Sequence, residues 1–115
     1  MQYAKAEALA REIRESEEYQ TFARLKETVL ADETNKTLLK EYKKMQTRLQ
    51  MAVVAGSGGQ EEEIQRFSRL SALLLANQEV AAYLLAEMRL QQMLGDIFKI
   101  LTDASGLDFP VPGLE

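Results

Sequence analysis

The sequence predicts an all-α protein, an antiparallel bundle of about five helices that ends in a long C-terminal helix. Two observations lead to this fold class. Apolar residues recur every three or four positions through most of the chain, which places them on one face of a helix. Residues that cap or interrupt helices divide the chain into segments of helical length. We therefore expect one helical domain over residues 1–103 and an extended or flexible tail over residues 104–115.

The first two helices are predicted to meet at Ser16. The apolar spacing indicates a first helix over about 3–15. The Ser16 hydroxyl can then accept a hydrogen bond from a free amide at the start of a second helix, and the two glutamates that follow favour the positive end of its dipole. The second helix should end near Asp32, and either Asp32 or Thr34 is expected to cap a third helix.

The third and fourth helices are predicted to form a hairpin around a glycine-rich turn. The third helix has the most regular heptad in the chain and should reach about Ala55. It is followed by AGSGG, in which three glycines raise the entropic cost of a helix. A fourth helix is expected over about 60–76, where three glutamates favour its N-terminus.

The fifth helix, predicted from Asn77 to Asp103, should be the longest and should pack against several others. Its apolar face is wider than a two-stranded coiled coil requires. One seam of this face consists of Val80, Tyr83, Glu87, Leu90, Leu94, Ile97 and Leu101, and a second consists of Leu84, Met88, Gln91, Gly95 and Phe98.

Two segments of the chain match one another without gaps at an offset of 45 residues. FARLKETVLADE begins at Phe22 and FSRLSALLLANQ begins at Phe67. The match places Asp32 opposite Asn77, and both residue types are good helix caps. One interpretation is a repeated unit of two helices, and the alternative is a chance match between two leucine-rich amphipathic helices.

Composition removes several classes of chemistry. The chain contains no cysteine and no histidine, so it lacks thiolate ligands, the commonest general base and the commonest neutral metal ligand. The acidic pairs occupy helical surface positions, and no phosphate-binding loop motif is present. No apolar run approaches the roughly 18 residues that a membrane span requires. We therefore expect no catalytic residue, no metal, no bound cofactor and no membrane partner.

Two surfaces are candidates for binding. The third helix is locally basic although the net charge of the chain is −4, which allows a patch for RNA or an acidic partner as the alternative to a solvated face. The basic residues are Lys36, Lys40, Lys43, Lys44 and Arg48.

On the fifth helix, several apolar residues fall outside both seams and predict a surface for self-association or partner docking, the alternative being an edge buried within the chain. This Leu85 flank consists of Ala82, Leu85, Ala86, Met93 and Ile100.

The chain resembles the YlbF/YmcA/YheA family of small bacterial helical proteins. The resemblance rests on IRESEEY at Ile13–Tyr19, the helix around Leu38–Met45, the glycine loop and the long final helix. Its most specific element is the S-x-E-Y junction at Ser16–Tyr19. The resemblance covers the chain from about residue 4 to residue 101.

This resemblance implies an all-α cytoplasmic protein that acts by binding other proteins. YlbF and YmcA belong to a complex that modulates RNA processing, and they contribute cysteines to an iron–sulfur cluster. Because this chain has no cysteine, cluster binding is not expected and the chain looks closer to the YheA branch. We expect a non-enzymatic regulatory protein that modulates a bacterial regulatory or RNA-processing complex. It should form a homo-oligomer, a dimer or higher, and bind other helical proteins of the same family. The alternative is a nucleic-acid-associated factor that uses the basic face of the third helix.

Overall fold

A computed structural model describes residues 1–56 and 61–107 of the chain. All regular secondary structure among these residues is α-helical, which confirms the all-α fold class. The helices are α1 (Ala4–Glu15), α2 (Glu17–Leu30), α3 (Glu33–Val54), α4 (Glu61–Leu75) and α5 (Gln78–Ser105). With 28 residues α5 is the longest of them, as predicted.

The ends of the helices lie close to the predicted positions. α3 ends at Val54, and Gly56 has a φ of 75°, a left-handed conformation that glycine adopts without a steric penalty. α5 continues two residues beyond Asp103. Ala104 and Ser105, which were predicted to begin the extended tail, are therefore helical. The remainder of the predicted tail from residue 108 lies outside the described residues.

Ser16 forms the predicted cap between α1 and α2. Its Oγ accepts a hydrogen bond from the Tyr19 backbone N–H at 3.2 Å and donates to the Ile13 carbonyl oxygen at 2.5 Å. One side chain therefore bonds both a carbonyl in the last turn of α1, which also accepts the Ser16 backbone N–H at 3.1 Å, and a free amide at the start of α2.

Asp32 and Asn77 cap the helices that follow them in the same way. Asp32 Oδ1 accepts from the Asn35 backbone N–H at 3.1 Å, and Asn77 Oδ1 accepts from the Val80 N–H at 3.3 Å, which is the same spacing in sequence. Asp32 is thus the cap, and Thr34 lies within α3.

The backbone at the two junctions is also equivalent. The N–H of Asp32 donates to the Val29 carbonyl at 3.3 Å, and the N–H of Asn77 donates to the Leu74 carbonyl at 3.1 Å. Val29 is 0% exposed and Leu74 is 1% exposed. The match at an offset of 45 residues therefore extends to hydrogen bonds and burial, and α2–α3 and α4–α5 are structurally equivalent at their junctions.

Contacts divide the chain into two compact units. The first consists of Met1–Arg24 and the residues from Leu84 onward, and the second consists of Leu25–Tyr83. α2 and α5 each contribute residues to both units. A single domain over residues 1–103 stays a prediction.

The second unit contains the hairpin of α3 and α4. The rings of Tyr42 and Phe67 stack with centroids 5.1 Å apart and an interplanar angle of 19°. Nearer to the turn, Met45 and Leu49 line a groove together with Glu63 and other charged side chains of both helices. Because residues later in α3 meet residues earlier in α4, the two helices are antiparallel. The buried side chains of this unit are Val29, Leu39, Met45, Leu74, Val80 and Tyr83.

In the first unit, much of the predicted apolar face of α5 is exposed. Ala86 and Gly95 are buried, and Leu90 and Ile97 are half-buried. Three apolar residues that the seams place toward the core are instead exposed, at 64% for Met88, 43% for Leu94 and 55% for Leu101. Their predicted burial is wrong because helical spacing tells which residues share a face, but not how far along the helix a neighbour covers that face.

Candidate interaction surface

The Leu85 flank is mostly accessible along α5. Leu85 is 47% exposed and Ile100 is 67% exposed, Ala82 is also exposed, and Met93 is half-buried. Ala86 does not belong to this surface, because it is 5% exposed and therefore buried within the chain. Its position at the edge of the flank, three residues from buried Tyr83, explains why spacing alone placed it outside.

Two charged residues lie between the apolar residues of this flank. Arg89 and Asp96 are exposed, and helical spacing places them on the same side of α5 as Leu85 and Ile100. Gln92 Nε2 donates a hydrogen bond to Asp96 Oδ1 at 3.0 Å. Arg89 and Asp96 lie outside the predicted Leu85 flank, although their four-residue spacing from Leu85 and Ile100 indicates the same face.

The internal match supplies a comparison for this surface within the same chain. Adding 45 to a residue number in α3 gives its counterpart in α5. The basic positions Lys36, Lys40, Lys43, Lys44 and Arg48 correspond to Ala81, Leu85, Met88, Arg89 and Met93. The helix face that carries five cations in α3 is thus largely apolar in α5, which favours contact with protein at α5 and not at α3.

The predicted basic patch is exposed for most of its length. Lys36, Lys40, Lys44 and Arg48 are exposed, whereas Lys43 is half-buried. The four exposed cations follow one another every fourth residue, so they form a row of about 18 Å along α3.

Buried charged groups and metal-ligand clusters are the features of the described residues that bear on catalysis or metal binding. All buried side chains in the described part of the chain are apolar. Over residues 1–56 and 61–107, no group of three or more carboxylates is placed so that it could hold a metal ion. Of the helices that the structure describes, none combines the length and the apolar character needed to cross a membrane.

Comparison with known proteins identifies close relatives of this fold and sequence. A UPF0342 protein of Symbiobacterium thermophilum is 32% identical over 94% of this chain and 96% of its own length. The UPF0342 protein YheA of Bacillus subtilis is 29% identical over 86% of this chain and 85% of its own length. A solved structure from Bacillus stearothermophilus, described as a protein of unknown function (DUF964), has a TM-score of 0.75 at 25% identity and covers 90% of this chain and 91% of its own.

The family model described as "Control of competence regulator ComK, YlbF/YmcA" matches residues 2–104. This match includes α1 to α4, all of α5 except its last residue, and the capped junctions at Asp32 and Asn77. The chain therefore belongs to the YlbF/YmcA family.

Proposed function

We infer that this protein is a non-enzymatic regulatory protein that acts by binding other proteins and that associates with itself through α5. The observation that carries this proposal is the exposure of Leu85 and Ile100 on a helix face whose counterpart in α3 carries lysines. Exposed apolar side chains lose their contact with water when a partner binds, and this burial is the main driving force for association.

The family supports a regulatory role of this kind. The name of the matching family model refers to control of the competence regulator ComK. We extend to this chain only the general character of a cytoplasmic regulator that binds proteins.

A pair of double variants tests the α5 surface. Leu85→Glu with Met93→Glu places charges on the apolar flank, whereas Lys40→Glu with Arg48→Glu changes the equivalent positions of α3. We expect the α5 variant to lose self-association and captured partners, because a buried unpaired carboxylate is costly, and the α3 variant to keep both. Light-scattering mass and affinity capture from the native cell are the measurements. Unchanged mass and unchanged partners in the α5 variant would contradict the proposal.

A second candidate function is nucleic-acid binding at the basic row of α3. The specific observation is that four cations are exposed in one row on a chain with net charge −4. If these four cations contact phosphates of single-stranded RNA, the logarithm of affinity should fall with the logarithm of salt concentration with a slope of about −3. Fluorescence anisotropy with an RNA oligonucleotide measures this slope. In this assay the double variant Lys40→Glu with Arg48→Glu should lose RNA binding, whereas the α5 double variant should keep it. Absence of RNA binding by the wild-type chain at low salt would exclude this function.

A further inference from the structure

We propose that α5 binds α5 of a second copy of this chain in an antiparallel arrangement with two-fold symmetry. The contact is made by the α5 face, which consists of Leu85, Arg89, Met93, Asp96 and Ile100. This inference rests on the proposed function, because it specifies the partner and the geometry of self-association at the same surface.

The order of residue types on the α5 face is the same from either end, except that the basic and the acidic position are exchanged. From the N-terminal end the order is apolar, basic, apolar, acidic, apolar. The midpoint between Leu85 and Ile100 lies between Gln92 and Met93, and the midpoint between Arg89 and Asp96 is the same. A two-fold axis at this point relates Leu85 to Ile100 and Arg89 to Asp96, and Met93 lies beside the axis.

An antiparallel pair of α5 helices centred on that axis matches the surfaces of both copies. Leu85 of one copy lies opposite Ile100 of the other, and Arg89 lies opposite Asp96, and symmetry forms each of these contacts twice. Met93 of the two copies meets near the axis, and its half-buried state shows that part of this side chain remains available. The contact extends over about 22 Å of helix from Leu85 to Ile100.

The charge pattern selects a second copy in this orientation. A parallel pair would place Arg89 beside Arg89 and Asp96 beside Asp96, and like charges at an interface are unfavourable. In α3, the counterparts of the first three positions are Lys40, Lys44 and Arg48, so this face of α3 repels a copy of itself. The self-complementary pattern is thus specific to α5.

The expected affinity is moderate. Two helices in contact over this length bury an area near the lower limit of specific interfaces, roughly 1,000 Å² in total. We therefore expect a dimer that dissociates at about micromolar chain concentration.

Charge reversal tests the pairing of Arg89 with Asp96. Arg89→Asp places two carboxylates opposite each other at both symmetric contacts, and Asp96→Arg places two guanidinium groups there. Each variant alone should be monomeric at concentrations where the wild-type chain is a dimer. An equimolar mixture of the two should form a heterodimer, because every contact then joins opposite charges. Lys44→Asp, at the α3 counterpart of Arg89, is the matched control and should leave the dimer intact.

The mixture also separates loss of association from loss of folding, because a misfolded variant would not form a heterodimer. A monomeric wild-type chain at 100 μM, or a mixture that stays monomeric, would overturn the proposal. If the wild-type chain is oligomeric and both charge variants keep its mass, the α5 pairing is wrong while self-association as the proposed function stands. If the wild-type chain is monomeric but captures other proteins, the proposed function of protein binding stands and the α5 pairing is wrong.

Crosslinking determines the orientation independently. The chain has no cysteine, so introduced thiols react only with each other. Under oxidation, a mixture of Leu85→Cys and Ile100→Cys chains should form a disulfide between the two variants, because residues 85 and 100 face each other across the axis. Crosslinking of Leu85→Cys to itself and not to Ile100→Cys would indicate a parallel pair and overturn the antiparallel proposal.

Discussion

Three consecutive leucines in α4 show how sharply burial changes from one residue to the next. Leu74 is 1% exposed, whereas Leu73 and Leu75 are 59% and 56% exposed. Leu74→Ala should lower the free energy of unfolding by about 2–5 kcal/mol, because it leaves a cavity in the core. Leu73→Ala and Leu75→Ala should each cost about 1 kcal/mol or less. Urea denaturation of the three variants measures the difference, and equal losses would contradict the burial of Leu74.

The capping residues Asp32 and Asn77 should contribute similarly to stability. Each accepts the backbone N–H of the third residue after it. Asp32→Ala and Asn77→Ala should each lower the free energy of unfolding by about 1 kcal/mol, because the amide loses its acceptor. Asp32→Asn is the control and should be nearly neutral, since asparagine already performs this role at residue 77. Thermal unfolding followed by circular dichroism measures these changes. A loss from Asp32→Asn as large as from Asp32→Ala would show that charge, and not the hydrogen bond, is responsible.

The hairpin of α3 and α4 offers a test at the scale of whole elements. The stacked rings of Tyr42 and Phe67 connect the two helices directly. A double-mutant cycle with Tyr42→Leu and Phe67→Leu should give a coupling energy of about 0.5–1.5 kcal/mol, the contribution of an aromatic pair beyond the area that it buries. The measurement is urea denaturation of both single variants and the double variant. Additive losses would show that the rings do not interact in solution.

The elements that the sequence predicted best are those with a local cause. Ser16 and Asp32 cap helices as expected, because an N-cap depends on a side chain and an amide only a few residues apart. The burial of several α5 residues was predicted wrongly, because burial depends on neighbours that are distant in sequence. Leu94 shares its face with buried Tyr83 and is nevertheless 43% exposed. Spacing along one helix contains no information about where an adjacent helix ends, and it therefore could not separate covered from exposed parts of the same face.

The exposure of the Leu85 flank was partly predictable for the same reason. The positions of Leu85 and Ile100 outside the main seams were correctly read from spacing, and both are exposed. Arg89 and Asp96, which lie between them, were not part of the predicted surface. Their role in the proposed pairing depends on where a second copy of the chain lies. The spacing of residues along a single helix gives no information about that position.

At the scale of the whole molecule, the internal match reveals two different compositions of one helix face. The equivalent faces of α3 and α5 begin from the same capped junction but carry different side chains, lysines in α3 and apolar residues in α5. A row of lysines is unfavourable in the core of a protein interface and suits a solvated or polyanion-binding surface. Surface variants can therefore change one face without changing the other.

The proposed dimer also predicts how thermal stability depends on concentration. Because association favours the folded state by mass action, a total chain concentration 100 times the dissociation constant, at which free monomer falls to about 7 times that constant, should add about 1.6 kcal/mol to the free energy of unfolding relative to a monomer. The wild-type chain should therefore show a Tm that rises by several degrees, about 4 °C or more, as its concentration increases from 1 to 100 μM. The Arg89→Asp chain should show a constant Tm over this range, and its mixture with Asp96→Arg should regain the dependence. Differential scanning calorimetry at both concentrations provides the measurement, and a constant wild-type Tm would contradict the dimer.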